Sequence, residues 1–393
     1  MITPRTGWGM SRMAGMAAWS PVFPAKRWSY HPAMHVALLA NTAWLDEELA
    51  LFRHLVVGLI DEQVRVSQVV PDAVGVDELS VFGEQVFWQE SRLAAVNWRR
   101  LHRLAPQLGA LHVDMIHVLD GALWWPGLML GQAVGASVLL QVNAAADLGR
   151  IDWLQRLPRR VAGGPISFAA TTGPLAEATE QRVEGWAPVY TLPPGVHAQT
   201  GAGGTATEQP LAAVVSGDGR LDGDYQALLT GMADFLETHP QAQFFFDGQG
   251  STQQKLWREA ERLELLSNMS FIPRRLGHRE MLLRADVLLQ PQALGRSRSL
   301  TLQAMAHGRP IVARQDPWLD YLIDDTTAWI IDHPTPSAWR TMLHRLVEAP
   351  GRAQALGQSA HQWVSQHRLA ADQIARALSA YRSLTGAAIP FSA

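Results

Sequence analysis

Two arginines stand directly before a predicted helix start, and this combination can bind an anion. Arg296 and Arg298 precede the helix predicted over Leu300–His307, for which Ser299 is a suitable N-cap. Free backbone N–H groups at the amino end of a helix attract phosphate. We therefore predict that the backbone N–H groups of Ser299, Leu300 and Thr301 donate to a phosphate, the alternative being an ordinary capped helix.

Side chains around this helix start extend the predicted site. We predict that Arg296 or Arg298 supplies a cation to the phosphate, and solvated loop charge is the alternative. Gln303 lies one turn into the helix, and its neutral amide can form hydrogen bonds with a ligand. Gly295 has no side chain to offer a ligand, so its place in the loop indicates a turn.

The elements on either side of this helix place it at the top of a sheet. A strand is predicted over Val287–Leu289, followed by a polar loop over Gln290–Ser299. Gly308 can adopt the left-handed conformation that ends a helix, and Pro310 prevents its continuation. The next strand is predicted over Ile311–Ala313. This order is typical of a parallel sheet whose loops bind ligands at its carboxyl edge.

Strands and helices alternate along the whole chain of 393 residues, in two series. The first begins with the apolar strand Met34–Ala40, a helical stripe over Asp46–Glu62 and the strand Val64–Val70. A Gly-rich stretch, His197–Pro210, separates it from the second series, which begins with the strand Leu211–Ser216. We therefore predict an α/β protein with two Rossmann-like domains that face each other across a cleft.

The predicted organisation has five parts. Residues 1–33 are a leader that is either disordered or precedes the true start, and they lack the apolar segment of a signal peptide. Residues 34–192 form the first domain, 193–210 a linker and 211–365 the second domain. Residues 366–393 continue a long final helical region, which we expect to be broken near His367–Leu369.

Composition and charge exclude several classes of protein. Apolar residues make up 47% and charged residues 18% of the chain, and the net charge of −3 does not attract nucleic acid. No apolar run is long enough to cross a bilayer. The absence of cysteine excludes disulfides and zinc–sulfur sites, and no spacing of histidines and carboxylates indicates a metal site. We therefore expect no metal, no nucleic-acid partner and no transmembrane segment.

Several short motifs resemble those of one family when they are taken together. They are, in chain order, PPGVH at Pro193–His197, GRL at Gly219–Leu221, FFDGQG at Phe245–Gly250, FIPRR at Phe271–Arg275 and LQAMAHGRPIVA at Leu302–Ala313. Their order and spacing resemble family 4 of the retaining, nucleotide-sugar-dependent glycosyltransferases, which have the GT-B fold. The resemblance covers roughly residues 34–384.

The resemblance implies roles for individual residues. It implies a nucleotide-diphosphate sugar as co-substrate, without a further cofactor, and Arg220 as a ligand of the diphosphate, which a guanidinium binds in a forked geometry. Gly248 follows a predicted strand, where it serves the backbone or approaches the donor. The resemblance also implies that the final helical segment crosses back to the first domain.

The chain departs from the family motif at its charged positions. Two glutamates eight positions apart are usual in the family, and Gly295 and Gln303 replace them here. The lysine expected shortly after Arg220 is missing from Leu221–Ala227. The motif is therefore degenerate, and the resemblance in fold is stronger than the resemblance in catalytic residues.

In the first domain the segment DMIHVLDG, Asp114–Gly121, ends a predicted strand at the cleft. Asp120 lies just past the strand end, and we predict that it faces the sugar or the acceptor as a catalytic residue. His117 lies inside the strand, where a core histidine is the default expectation.

These observations favour a hexosyl-type glycosyltransferase that moves a sugar from a nucleotide-sugar donor to a hydroxyl group, with retention. The acceptor is a saccharide, a lipid or a small molecule. Two alternatives stay open: a non-catalytic glycosyltransferase-like protein that binds sugar or nucleotide or acts as a scaffold, and another two-domain Rossmann enzyme such as a nucleotide-sugar epimerase. We expect a cytoplasmic location, with peripheral contact at the inner membrane face left open.

Overall fold

The structure is a computed structural model that describes residues 34–75, 79, 82–91, 94–156, 165–198, 210–247, 254–272 and 278–386. The predicted leader, most of the predicted linker and Gly248 lie outside these residues.

The first half of the described chain forms a parallel sheet of seven strands in the order β3-β2-β1-β4-β5-β6-β7. These strands, β1 to β7, are His35–Leu39, Arg65–Pro71, Glu84–Trp88, Met115–Val118, Ser137–Val142, Ile166–Ala170 and Val189–Thr191. The helices between them, α1 to α6, are Thr42–Asp61, Ala94–His102, Ala105–Ala110, Trp124–Val134, Ala145–Gln155 and Gly173–Val183. We call this sheet and its helices the first lobe.

The second half forms a parallel sheet with six described strands in the order β10-β9-β8-β11-β12-β13. These strands, β8 to β13, are Ala212–Val215, Gln243–Asp247, Met269–Ile272, Val287–Gln290, Ile311–Arg314 and Trp329–Ile331. The helices, α7 to α13, are Gly223–Leu236, Gln254–Arg262, His278–Arg284, Ser299–Ala306, Pro336–Glu348, Pro350–His367 and Ala370–Thr385. We call this sheet and helices α7 to α12 the second lobe.

Each sheet is buried on both faces, which explains the apolar runs in the sequence. All five residues of β1 are buried. Successive side chains of a strand point to opposite faces, so Val36 and Leu38 enter one hydrophobic cluster while Ala37 and Leu39 enter another. Strands covered by helices on both faces are typical of doubly wound α/β folds, and the predicted fold class is therefore confirmed.

Most elements of the two series lie where the sequence predicts them, but two helices and a strand were not predicted. They are α5, α6 and β3. Gly149 in the middle of α5 and the Gly-Pro pair at the start of α6 weaken the local helix signal. The predicted break in the final helical region is confirmed, because α12 ends at His367 and α13 begins at Ala370.

Helix α13 leaves the second lobe and packs against the first. Its residues Ile374, Leu378 and Tyr381 belong to the hydrophobic cluster that contains α1. The Tyr381 hydroxyl lies 2.7 Å from His117 Nδ1. Burial lowers the pKa of His117 to about 3, so this imidazole is neutral and serves the core, as predicted.

Candidate functional site

A cavity of about 640 Å³ lies between the two lobes. Its first-lobe wall is acidic and includes Glu47, Asp120 and Asp147, while its second-lobe wall includes Arg220 and Arg296. Asp120 and Arg220 each follow the carboxyl end of a strand, β4 and β8. The cavity therefore lies where ligands of parallel α/β sheets bind.

The loop before α10 joins the two lobes at Gly295. The Gly295 N–H donates to Asp316 Oδ2 at 2.7 Å, and its carbonyl accepts from the Ala145 N–H of the first lobe at 2.8 Å. The φ of Gly295 is +62°, in the region that favours glycine. A Cβ atom there would lie 3.1 Å from Ala145 Cβ and 3.2 Å from Trp318 Cδ1. Gly295 thus forms a turn, and a side chain there would strain the backbone and require Ala145 and Trp318 to shift.

The two arginines that flank this loop have different environments. Arg296 lines the cavity, and its Nη2 donates to Glu47 Oε1 at 2.9 Å. The side chain of Arg298 is only 3% exposed and does not line the cavity. Of the two candidates for the phosphate cation, only Arg296 is therefore in contact with the open space.

The Arg298 guanidinium ties three segments of the second lobe together. It donates to Ser216 Oγ at 2.6 Å, to the Gly217 carbonyl at 3.2 Å and to Asp247 Oδ2 at 2.7 Å. Burial opposes its charge, but the Asp247 carboxylate and the nearby glutamates raise the pKa of Arg298 above its usual value. The guanidinium is thus bonded to protein groups at the ends of β8 and β9, and a role of its side chain in donor binding stays a prediction.

The amino end of α10 forms a hydrogen bond with a residue of the first lobe. The N-cap position is occupied by Arg298, whose side chain forms no capping bond, so the prediction of Ser299 as N-cap is wrong. Ser299 is the first helical residue, and its N–H donates to Glu48 Oε1 of α1 at 3.1 Å. Sequence-based capping rules consider neighbouring side chains, whereas this cap comes from 251 residues away.

The other predicted donors of this helix are buried, as Ser299 is. Leu300 and Thr301 are buried, and the Thr301 hydroxyl donates to Gln290 Oε1 at 3.0 Å. Gln303 is half-buried and does not line the cavity. Of the predicted phosphate donors, the Ser299 N–H is the one whose present partner is itself an anionic group.

Sequence reasoning missed Glu48, which is 7% exposed at the contact between the lobes. Its backbone is non-helical, with φ −121° and ψ 22°, and it marks a kink in α1. Burial raises its pKa to about 7, although Ser299 and Arg298 act in the opposite direction. The signal in the sequence was its place on the apolar stripe of α1, three residues after Leu45 and four before Phe52.

We expect the replacement Glu48→Gln to change how stability depends on pH. The folded-state pKa of Glu48 lies above its unfolded value, so the wild-type protein loses this contribution as pH rises from about 4.5 to 7. Between pH 5 and pH 8 the variant should gain about 2–3 kcal/mol relative to wild type in its free energy of unfolding. Urea denaturation of both proteins at the two pH values measures this, and contributions of other carboxyl groups cancel in the difference. A difference that is constant with pH would contradict the assignment.

Asp120 stands on the first-lobe wall and is held by its own loop. Its Oδ1 accepts the Ala122 N–H at 2.7 Å, so the carboxylate caps the short 3₁₀ helix Gly121–Leu123. Burial raises its pKa, and Arg150 acts in the opposite direction. A raised pKa makes a carboxylate a better proton acceptor near neutral pH.

Arg220 extends from a loop that hydrogen bonds keep in place. Its backbone N–H donates to Asp218 Oδ1 at 2.8 Å, and the Asp218 N–H donates to Gln292 Oε1 at 3.0 Å. Its own side chain is 86% exposed and lies 3.7 Å from Asp218 Oδ2. The guanidinium can therefore turn toward an anion in the cavity without breaking a buried contact.

The described residues contain no group of three or more His, Asp or Glu side chains that could hold a metal ion. No described helix combines the length and the apolar character needed to cross a bilayer.

Comparison with known proteins relates this geometry to a family. Residues 205–363 match the family model of glycosyl transferases group 1. No curated protein matches the sequence significantly. The group 1 match contains Arg220, Gly295 and the whole of α10, whereas Asp120, Glu47 and Glu48 lie outside it.

Several solved structures are similar in fold over both lobes. A sucrose-phosphate synthase from Thermosynechococcus elongatus has a TM-score of 0.68 at 15% identity, over 90% of this chain and 99% of its own. HepE of Anabaena in complex with UDP-glucose has a TM-score of 0.65 at 12% identity, over 88% and 100%. A UDP-N-acetylglucosamine 2-epimerase, so described, from Listeria monocytogenes has a TM-score of 0.61 at 11% identity, over 89% and 96%. At these identities the likeness shows the fold, which is GT-B.

Proposed function

We propose that the protein is a glycosyltransferase that moves a hexosyl group from a nucleotide-sugar donor to a hydroxyl acceptor, with retention. The observation that carries the proposal is the cavity itself. Within the group 1 match its wall supplies Arg220 and Arg296 beside the amino end of α10, and Asp120 stands on the opposite wall. The Anabaena structure of the same fold contains UDP-glucose, which supports a nucleoside-diphosphate sugar as the donor.

The charges of the two walls suit the two halves of this reaction. When the bond from the anomeric carbon to the diphosphate breaks, its electron pair stays on the nucleoside diphosphate. Arg220, Arg296 and the N–H groups of α10 then stabilise the negative charge that develops. The acceptor oxygen forms the new bond to the same carbon and loses its proton, which Asp120 on the opposite wall accepts.

A second candidate function follows from Gly295. Gly295 has no carboxylate, its φ of +62° and its contact with Ala145 disfavour any side chain there, and Gln303 is uncharged. A protein that binds the nucleotide sugar without transferring it fits these two positions equally well. The distinction between the two functions therefore depends on turnover and not on binding.

A panel of nucleotide sugars tests both. We expect one of UDP-glucose, UDP-N-acetylglucosamine, GDP-mannose and ADP-glucose to raise the melting temperature, since a ligand at a hundred times its Kd stabilises by about 2.7 kcal/mol. Simple glycoside acceptors should then accelerate release of the nucleoside diphosphate, and NMR of the product should show the anomeric configuration of the donor. Binding without release would favour the non-catalytic function. Failure of every member of the panel to bind would contradict both.

A further inference from the structure

Two adjacent glutamates of the first lobe accept hydrogen bonds from two groups of the second lobe that can also bind an anion. Glu47 accepts from the Arg296 guanidinium at 2.9 Å, and Glu48 accepts from the N–H of Ser299 at the amino end of α10 at 3.1 Å. The proposed function takes both of these groups, together with Arg220, as ligands of the donor diphosphate. The Glu47–Glu48 pair therefore lies where two linked anions are expected.

The kink in α1 explains how neighbouring residues can make both contacts. In a regular helix of 3.6 residues per turn, successive side chains diverge by about 100°. Glu48 leaves helical geometry, with φ −121° and ψ 22°. The first turns of α1 thereby direct two consecutive carboxylates toward the same loop of the second lobe.

The hydrogen bonds of Glu48 leave one oxygen of its carboxyl group unsatisfied. Its Oε2 is buried without a hydrogen-bond partner among the described residues. A buried carboxylate is stable when several donors satisfy it. Here both donors come from Ser299, whose backbone N–H donates to Oε1 and whose hydroxyl also bonds the carboxyl group. The Arg298 guanidinium beside it is bonded to Ser216, Gly217 and Asp247. A ligand with more acceptor oxygens and higher charge can replace such a group.

We propose that the Glu47–Glu48 pair holds the diphosphate position in the ligand-free protein and must withdraw before the donor binds. The proposal rests on the proposed function, because it takes Arg296 and α10 as the diphosphate ligands. The pair and a diphosphate need the same two donor groups, so they exclude each other, and the charge of Glu47 adds repulsion. The first lobe thus opposes donor binding through its own side chains.

Neutralising the pair tests this with little change in shape. We expect the double variant Glu47→Gln/Glu48→Gln to bind a nucleoside diphosphate at least tenfold more tightly than wild type, with unchanged affinity for the nucleoside. Asp61→Asn/Glu62→Gln is the matched control, since it removes the same charge from two adjacent, exposed residues at the other end of α1. Isothermal titration with UDP, GDP and ADP, and with uridine, guanosine and adenosine, provides the affinities.

Hydrogen–deuterium exchange gives a second measurement that does not depend on a variant. Saturation of the wild-type protein with the preferred nucleoside diphosphate should increase exchange in residues 42–51, where the pair leaves the second lobe. The control region is the far end of α1, residues 54–61, where exchange should stay the same.

The outcomes separate this inference from the proposed function. Equal or weaker binding of the nucleoside diphosphate by the Glu47→Gln/Glu48→Gln variant would overturn the inference and leave the proposed function intact. The same holds if exchange in residues 42–51 does not rise. If neither protein binds any of the three nucleoside diphosphates, the proposed function fails and the inference falls with it.

Discussion

Replacing Arg220 with alanine is expected to lower kcat/KM for sugar transfer by about 10²–10³. Removal of one group that stabilises developing negative charge in an active site has an effect of this size. The free energy of unfolding should stay within about 0.5 kcal/mol of wild type, because the side chain is 86% exposed and its contact with Asp218 is a surface ion pair. Activity should therefore fall while the fold is unchanged.

The measurement is release of nucleoside diphosphate from the preferred nucleotide sugar, with and without acceptor. Arg220→Lys should retain part of the activity, since lysine keeps the charge but loses the forked geometry. Arg352→Ala removes the same charge from an exposed position of the second lobe that does not line the cavity, and it should behave as wild type. Equal activity of Arg220→Ala and Arg352→Ala would show that Arg220 does not take part in the reaction.

Replacing Arg298 with alanine is expected to destabilise the protein by about 3–5 kcal/mol. The substitution leaves the Asp247 carboxylate buried without the guanidinium that now lies 2.7 Å away. Breaking a buried ion pair by removing one partner has a cost of this size, because the remaining charge loses its compensation. Ser216 and the Gly217 carbonyl lose a donor in the same step.

Urea denaturation gives the free energy of unfolding, and Arg296→Ala is the matched control. Arg296 lies two residues earlier, and its side chain is 30% exposed while that of its partner Glu47 is 10% exposed, so its loss should cost less, about 1–2 kcal/mol. The two variants should thus have different effects. Arg298→Ala should lower the free energy of unfolding, and Arg296→Ala should weaken binding of the nucleoside diphosphate. Similar free energies of unfolding for the two variants would contradict the burial of Arg298.

The fold could be predicted from the sequence because its signals are local. The apolar run of β1 shows a strand covered on both faces, and all five of its residues are buried. Gly308 has a φ of +65° directly after α10, as its predicted role as the helix stop requires. Helix α5 was missed where a central glycine weakens the periodic pattern. These signals are carried by short segments, so they can be interpreted without knowledge of the rest of the chain.

The candidate site was predicted only in part, because residue type does not show which way a side chain points. Arg296 and Arg298 are two positions apart and chemically identical, yet one lines the cavity and the other is buried against Asp247. Glu48 was not predicted as part of the site, since its partner Ser299 lies in the other lobe. The roles of Asp120 and Arg220 stay predictions that the proposed experiments test.

The sequence by itself determined the alternation of strands and helices, the two sheets and the position of the loop before α10. Those features depend on hydrophobic periodicity and on the backbone preferences of glycine and proline, which act over a few residues. Only the tertiary structure decided which of the two arginines faces the cavity. It also decided that the amino end of α10 forms a hydrogen bond with Glu48. Both depend on hydrogen bonds and burial between segments far apart in the chain, and such contacts exist only once the two lobes have packed together.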